Sequence, residues 1–164
     1  MKKYELTDET LKIGPITLHR VKPLVAFTGV EVGETGGWVE KEANLDQNGN
    51  AWVSGDARVY GDAWVSGNAW VYDNKHYMVI GPIGSRDDTI TFTRNKKGCI
   101  FATVGCFFGT LAEFRAKVSK THGDNIHAQA YLLAAQLAEL MIDTTPISDT
   151  QEEPTEGCEK GNVE

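Results

Sequence analysis

The residues best suited to chemistry in this chain lie in two glycine-rich segments. These segments read GPIGSR at positions 81–86 and GCFFGT at positions 105–110. The second segment runs into a predicted helix, whose first backbone N–H groups lack intrahelical acceptors and whose dipole is positive at that end. An anion is therefore favoured beside this junction. The predicted ligand-binding residues are Gly84, Ser85, Arg86, Gly105, Gly109, Thr110 and His122.

The proposed anion site depends on a few polar side chains within these segments. Arg86 would clamp a phosphate or carboxylate group, while Ser85 and Thr110 would donate hydrogen bonds to it. His122 lies in the predicted loop at 121–125 and reaches this region only if that loop folds back. Lys117 lies in the predicted helix that follows Thr110, and the direction of its side chain is left open. The alternative is that both segments are ordinary connections. Neither GxxxxGK[ST] nor GxGxxG occurs, so no nucleotide-binding fold is predicted.

Two further side chains are considered as catalytic groups, Cys106 and His76. Cys106 precedes a helix start, which lowers a thiol pKa, and His122 or His127 would serve as its base. No spacing signature joins these residues, and a cysteine between glycine and two phenylalanines is more typical of a buried position. The interpretation therefore leans towards a protein that is not an enzyme. No cofactor is predicted, and no metal site, because the three cysteines show no CxxC spacing.

A strict six-residue repeat occupies the middle of the chain, directly before the part that carries these segments, and it is expected to position them. Four consecutive hexapeptides at 49–72 read GNAWVS, GDARVY, GDAWVS and GNAWVY. The register extends back to residue 37, with two extra residues at 47–48. A period this strict predicts a solenoid with glycine turns. The predicted inward positions are Val39, Leu45, Val53, Val59, Val65 and Val71, with the small residues Gly37, Ala43, Ala51, Ala57, Ala63 and Ala69 two places earlier.

This pattern resembles the hexapeptide-repeat family, whose fold is a left-handed parallel β-helix with three hexapeptides per coil. The stretch 17–45 and the two glycine-rich segments also resemble uncharacterised hexapeptide-repeat proteins of bacteria and their phages. The resemblance implies a mainly β fold: a short left-handed parallel β-helix of about two coils, an N-terminal β cap and a small C-terminal α+β module. The same superfamily contains acyltransferases that use a histidine base. His76 is the candidate for that base here, although two coils offer little groove for a pantetheine arm.

The fourth position of each hexapeptide is predicted to face outward. With 18 residues in a coil, Trp52 lies over Trp70, and the insertion places Trp38 beneath Arg58 as a cation–π pair. Exposed, stacked tryptophans indicate a covered surface such as a subunit interface, with a ligand platform as the alternative. The predicted interface residues are Trp52, Arg58, Trp64 and Trp70, together with Leu133 and Leu137 of the last helix.

The module after the repeat is predicted as three strands followed by two helices. Thr110 and Glu113 form a capping box at the start of the first helix. The second helix carries a heptad seam that is expected to pack on the sheet or on a partner subunit. Its members are Ile126, Ala130, Leu133, Leu137 and Leu140. The predicted division of the chain is a β cap at 1–36, the repeat at 37–76, the α+β module at 77–142 and a disordered acidic tail at 143–164.

The charge of the chain is concentrated at its C-terminal end. The formal net charge is −7, of which residues 143–164 carry −6 and the remainder −1. No basic stripe is present, so nucleic acid is not a predicted partner. The chain shows neither a signal peptide nor an apolar stretch near ~20 residues, so no membrane association and a cytoplasmic location are predicted.

These features favour a non-enzymatic binding protein, and the resemblance implies that it is encoded by a phage. The expected partners are further copies of the chain, with a trimer favoured, and a small anionic, nucleotide-like ligand or a host protein. By analogy, such binding would antagonise host defence. The alternatives are a purely structural or protein-inhibitory scaffold, which would use the tryptophans and the heptad seam, and a hexapeptide-repeat acyltransferase.

Overall fold

The computed structural model of the chain describes residues 1–147, which form ten short or medium strands and two α-helices. The strands are β1 (Tyr4–Ile13), β2 (Ile16–Pro23), β3 (Trp38–Val39), β4 (Trp52–Val53), β5 (Arg58–Val59), β6 (Trp70–Val71), β7 (Tyr77–Ile83), β8 (Asp88–Arg94), β9 (Ile100–Val104) and β10 (Phe107–Thr110). The helices are α1 (Leu111–His122) and α2 (Ile126–Met141), and 3₁₀ turns occupy Glu42–Asn44 and Asn74–His76.

The predicted left-handed parallel β-helix is wrong. The repeat forms strands of only two residues, and these belong to two different sheets. β3 and β5 pair in parallel at the edge of a mixed sheet ordered β1-β2-β3-β5, whereas β4 and β6 form a separate two-stranded sheet. The other edge of β3 is taken by the antiparallel strand β2, so the parallel pairing does not extend into coils. The protein is a mixed, sheet-rich structure with two helices.

The repeat nevertheless sets the spacing of the short strands and their buried side. Trp52 pairs with Trp70 and Trp38 pairs with Arg58, as the predicted spacing of 18 residues and the insertion require. Every predicted inward aliphatic residue is buried. Ala43 is the exception among the small residues, because the 3₁₀ turn exposes it and buries Asn44 instead. The Asn44 side-chain amide donates to the carbonyls of Gly61 and Ala63.

A second sheet carries the two helices and a second core. Its order is β10-β9-β8-β7, and every neighbouring pair is antiparallel. One strand more than predicted is present, because residues 107–110 form β10 instead of a turn. One hydrophobic core spans Tyr4 to Val79 and includes the repeat, and the other joins this second sheet to both helices between Met78 and Ile142.

The two helices pack on the second sheet through different kinds of residue. α1 begins at the predicted capping box, in which Thr110 and Glu113 bond reciprocally, and it buries Leu111, Phe114 and Val118. α2 faces the sheet with Tyr131 and four alanines, Ala128, Ala134, Ala135 and Ala138. The heptad seam therefore does not pack on the sheet. Small alanine side chains bring the helix backbone close to the sheet, so the leucines point away from it.

Residues 143–147, the start of the predicted tail, are held against the second sheet. The buried Arg94 guanidinium donates to the carbonyls of Asp143 and Thr145, and the Ile147 N–H donates to the Lys96 carbonyl. This part of the tail is ordered, in contrast to the prediction. The rest of the predicted tail, 148–164, lies outside the described residues.

Two findings bear on the predicted cysteine chemistry and location. Cys99 is disulfide-bonded and Cys106 is a free thiol, whereas the sequence suggested no disulfide framework. Among residues 1–147, neither helix has the length and apolar character needed to cross a membrane.

Candidate functional site

Side chains from four parts of the second sheet and its two helices meet at a small cavity between the helices and the strand turns. We call it the cationic pocket, and its volume is about 130 Å³. Its polar lining residues are Arg86, Cys106, Lys117, His122 and Tyr131. Its apolar wall consists of Val104, Phe107, Phe114 and Val118.

Turn geometry and helical period explain how these groups reach one place. Arg86 lies in the β7–β8 turn, where Gly84 and Asp87 have φ values of +79° and +52°. Cys106 lies in the β9–β10 turn beside Gly105, which also has a positive φ. Lys117 and His122 both project from α1, at the third and eighth positions after Phe114. Positions three, four, seven and eight after a given residue share its face of a helix, so Lys117 and His122 lie on the face that Phe114 buries.

Tyr131 forms the inner wall of the pocket and depends on Gly84 for its position. A Cβ atom built on Gly84 would lie 2.1 Å from the Tyr131 hydroxyl oxygen, so only glycine lets the ring come this close. The Tyr131 ring lies 5.7 Å from the Phe114 ring in an edge-to-face arrangement and 5.7 Å from the His122 ring. These aromatic contacts fix the side chains at the back of the cavity.

The electrostatics of the pocket favour an anion. Arg86 and Lys117 supply two cationic side chains, and the His122 imidazole adds a hydrogen-bond donor. The Asp88 carboxylate forms an ion pair with Arg86, with its oxygen 3.3 Å from the Arg86 Nε. Burial raises the pKa of Tyr131, and Asp88 raises it further against a smaller opposite effect of Arg86. The Tyr131 hydroxyl therefore stays protonated and can donate a hydrogen bond.

The structure separates the predicted helix N-terminus from this pocket. Thr110 and Gly109 are buried, and the Glu113 carboxylate accepts hydrogen bonds from the Thr110 backbone N–H and hydroxyl at 2.9 and 3.0 Å. A carboxylate of the chain thus already occupies the end of α1 where the anion was expected. Thr110 lines a different cavity, together with Glu139 and Thr144.

Some of the remaining predicted ligand residues line the cationic pocket, and others make room for the residues that line it. Arg86 and His122 line the pocket directly. Gly84 and Gly105 support it, since added Cβ atoms would lie 2.1 Å from the Tyr131 hydroxyl and 3.2 Å from an Arg86 terminal nitrogen. Ser85 is exposed in the same turn as Arg86 but does not line the cavity.

The two catalytic candidates have different surroundings. Cys106 is exposed, contrary to the expectation of burial, and it shares the pocket with His122. His76 is buried, its Nδ1 accepts from the Tyr72 backbone N–H at 3.3 Å, and its ring packs edge-to-face on Tyr72. Burial lowers the pKa of His76, and Arg94 lowers it further. His76 is therefore a neutral structural side chain that a substrate does not reach.

The predicted outward tryptophans are largely covered by the chain itself. Trp52 is buried, with the Phe27 ring 5.3 Å away, and Trp70 is half-buried with the Lys96 ammonium 3.9 Å from its ring centre. The cation over Trp38 is Arg20, at 4.1 Å, not Arg58. Trp52 is thus a core residue, contrary to its prediction as an interface residue. Trp64, Arg58, Leu133 and Leu137 are exposed.

Lys117 and Tyr131 were not among the predicted ligand residues. The helical period contains the signal for Lys117, because this residue shares a face with Phe114 and His122. Tyr131 gives a weaker signal, as the one aromatic residue in an alanine- and leucine-rich helix. Its closeness to Gly84 depends on how α2 lies across the sheet, which local sequence does not specify.

The size and polarity of the pocket restrict what it can hold. A volume of 130 Å³ corresponds to roughly four molecules of liquid water. It therefore fits a phosphate or carboxylate group but not a complete nucleotide, and the remainder of a larger ligand would lie outside. Arginine, lysine, histidine and tyrosine all donate hydrogen bonds to such a group.

In comparisons with known proteins, no protein-family model and no curated protein matches this chain.

Proposed function

We propose that this protein is a binding protein that holds the oxyanion group of a small ligand in the cationic pocket. The observation that carries the proposal is the convergence of Arg86, Lys117 and His122 on one cavity with an aromatic back wall. These residues come from different parts of the chain, and they come together only when the second sheet and its two helices are completely folded. The remainder of the ligand extends towards solvent past Cys106, which is exposed at the rim.

Binding without turnover is favoured over catalysis by the arrangement of the reactive groups. Arg86 and Lys117 hold an oxyanion, and the buried Tyr131 hydroxyl completes the set of donors. Among the hydrogen bonds of residues 1–147, none joins the Cys106 thiol to His122, although a nucleophile and its base need such a bond. A phosphorylated nucleoside is one member of the ligand class, and its use in opposing host defence stays a prediction.

Calorimetric titration of the full chain with inorganic phosphate and then with nucleoside monophosphates tests this proposal. Saturable binding is expected, and the nucleotide recovered after denaturation should be chemically unchanged. Arg86→Gln and Lys117→Gln should each weaken binding about tenfold, because each removes a charge-assisted hydrogen bond. Lys120→Gln is the matched control, since Lys120 is exposed on α1 outside the pocket lining. Equal binding by all three variants, or recovery of a changed nucleotide, would contradict the proposal.

A second candidate function, protein binding, is favoured by the uncovered face of α2. Ile126, Leu133, Leu137 and Leu140 are 69%, 64%, 44% and 82% exposed. We call these four residues the leucine face. We propose that it packs against the same face of a second copy.

Two observations favour self-association over another partner. The residues beside the leucine face are the neutral Gln129 and Gln136, so two copies meet without charge repulsion. Glu139, the one acidic residue of α2, is already paired with Arg115 through two hydrogen bonds of 2.8 Å. The trimer predicted from the superfamily rested on the β-helix, which the chain does not form. The expected assembly is therefore a dimer through α2.

A further inference from the structure

A groove runs along the free edge of β7, which is an edge strand of the second sheet. We call it the β7 groove, and its volume is about 550 Å³. Clefts that bind ligands commonly have volumes of about 300–1,000 Å³. The consecutive residues Tyr77, Met78 and Val79 line it, together with Ile13 at the end of β1 and several residues of the repeat. Because successive side chains of a strand point to opposite faces of a sheet, a cavity lined by three consecutive residues lies along the edge of the strand.

Both faces of β7 are covered, so the open part of this strand is its edge. Tyr77 and Val79 pack on the core that includes the repeat, whereas Met78 and Ile80 pack on the core that includes the helices. β8 pairs with one edge of β7. Within residues 1–147 no strand pairs with the other edge, and no hydrogen bond outside the β7–β8 pair uses a backbone group of Met78, Val79 or Ile80. Alternate residues of an antiparallel strand direct their N–H and C=O groups away from the partner, so the groove offers backbone donors and acceptors.

The open stretch at residues 77–80 lacks the features that normally keep another strand from pairing with a sheet edge. It holds no charged side chain, and it pairs with β8 in unbroken register. Pro82 and the register shift of β7 come only after it. The long edge strand β1 of the first sheet is different, because it has a register shift and the charged residues Glu5, Asp8, Glu9 and Lys12. A regular, uncharged edge such as that of β7 is a template for a further strand.

Arg58 gives the β7 groove a positive charge that no carboxylate of the described chain pairs with. Its backbone N–H donates to the Asn74 Oδ1 at 2.9 Å, and its carbonyl accepts from the Tyr77 hydroxyl at 2.6 Å, so its backbone is fixed beside the start of β7. Its side chain is exposed, lines the groove and forms no hydrogen bond, ion pair or ring contact within residues 1–147. The Asp62 carboxylate also lines the groove, and the Lys41 ammonium group lies 3.9 Å from it. A carboxylate that enters the groove therefore finds the Arg58 guanidinium available.

We propose that the β7 groove binds an extended, acidic peptide segment of a partner protein, which adds a strand to the second sheet and places a carboxylate against Arg58. Strand addition at an open edge supplies main-chain hydrogen bonds, and the alternating side chains of the peptide supply selectivity. The unpaired guanidinium favours an acidic peptide over a basic one. The groove shares no lining residue with the cationic pocket and none with the leucine face, so the proposal is independent of both.

Fluorescence polarisation of labelled peptides during titration with the full chain tests the proposal. The probe is the fluorescein-labelled hexapeptide TVEVTV, whose glutamate and threonines share one face and whose valines share the other when the peptide is extended. Saturable binding is expected. The matched peptide TVKVTV should bind at least about fivefold more weakly, because it brings a like charge to Arg58. N-methylation of the glutamate and of every valine in TVEVTV removes amide donors from both edges of the peptide and should also weaken binding at least about fivefold.

Variants of the chain test the contribution of the positive charge. Arg58→Gln should raise the Kd for TVEVTV about fivefold, because it removes a charge-assisted hydrogen bond. Lys22→Gln is the matched control, since Lys22 is an exposed cation of β2 that does not line the groove. Its Kd should stay within about twofold of the wild-type value. Both side chains are exposed, so the circular dichroism spectrum of each variant should match that of the wild type.

Hydrogen exchange followed by NMR at the amides of Met78, Val79 and Ile80 locates the bound peptide. At least one of these amides points away from β8 and should exchange more slowly when TVEVTV is bound. The proposal is overturned if TVEVTV does not bind saturably, if its N-methylated form binds equally well, or if Arg58→Gln and Lys22→Gln give the same Kd. It is equally overturned if these amides become protected as the concentration of the chain alone rises, which would assign the edge to a second copy.

Discussion

His76 shows how burial decides the role of a single side chain. The sequence places it four residues after the last hexapeptide, which ends at Tyr72, where an acyltransferase base would be sought. In the structure it is 1% exposed, and its Nδ1 accepts a backbone hydrogen bond that requires the unprotonated nitrogen. Burial and Arg94 lower its pKa. The residue therefore stabilises the end of the repeat as a neutral ring.

This burial predicts a loss of stability in mild acid. As the pH falls below about 6.5, the unfolded chain protonates His76 while the folded chain does not, so the free energy of unfolding decreases. The slope from this residue is at most about 1.4 kcal/mol per pH unit. Thermal unfolding between pH 7 and pH 5 measures it. His76→Gln retains an acceptor for the Tyr72 N–H and should remove most of the slope, whereas an unchanged slope would contradict this assignment.

Gly84 is the residue on which the shape of the cationic pocket depends most. Gly84→Ala is expected to destabilise the protein by about 2–4 kcal/mol, because it combines an unfavourable φ with a collision against Tyr131. Gly61→Ala separates the two effects, since Gly61 has a similar φ of +65° and open space around it. That control should lose only about 1–2 kcal/mol. Denaturant unfolding measures both values, and equal losses would show that Tyr131 does not press on Gly84.

At the scale of elements, the repeat shows what a local pattern can and cannot predict. Alternation of Ala and Val at positions two apart predicts which side chains are buried, and this is confirmed for Val53, Val59, Val65 and Val71. The spacing also predicts the pairs Trp52–Trp70 and Trp38–Arg58, but it does not predict that the antiparallel strand β2 lies beside β3. Because β2 takes one edge of β3, the short parallel pairs stay in separate sheets. Strand β2 comes from outside the repeat, so the repeat alone could not reveal this partner of β3.

Helix α2 is present as predicted, but the alternative in which its heptad seam packs on the sheet is wrong, for a different physical reason. Its sequence contains two candidate buried faces, one of leucines and one of alanines. Hydrophobicity favours the leucine face, but the alanine face packs on the sheet, with Ala135 and Ala138 fully buried. The short distance between helix and sheet decides between the two faces, and a single sequence does not specify that distance. Tyr131, which shares the alanine face, reaches the cationic pocket for the same reason.

Arg94 joins the end of β8 to residues 143–147 and should dominate the stability of that junction. Its buried guanidinium donates to the carbonyls of Asn95, Lys96, Asp143 and Thr145 at 2.7–3.1 Å. Arg94→Met leaves all four acceptors without this donor and should cost more than about 3 kcal/mol.

The matched control is Arg115→Met, because the Arg115–Glu139 pair is largely exposed and should contribute less than about 1 kcal/mol. Chemical denaturation of both variants checks the difference. A loss at Arg94 no larger than that at Arg115 would mean that the carbonyl contacts add little to the stability.

At the scale of the whole molecule, two hydrophobic cores meet near β7 and leave the leucine face of α2 exposed. If this face joins two copies, Leu133→Gln combined with Leu137→Gln should convert the dimer to a monomer without loss of the fold, because both side chains contact solvent in one copy. Sedimentation velocity with circular dichroism measures both properties. Trp64→Ser is the control, since Trp64 is exposed on the repeat. A wild-type monomer, or dissociation caused only by Trp64→Ser, would contradict the α2 dimer.

Oxyanion binding in the cationic pocket can be followed directly through the exposed Cys106 thiol. The measurement is the rate at which iodoacetamide alkylates Cys106, followed by peptide mass spectrometry, with increasing inorganic phosphate. Because Cys106 lines the pocket with Arg86 and Lys117, bound phosphate should slow the reaction saturably. Arg86→Gln should remove this protection. An alkylation rate that phosphate does not change, or protection that persists in Arg86→Gln, would contradict oxyanion binding in this pocket.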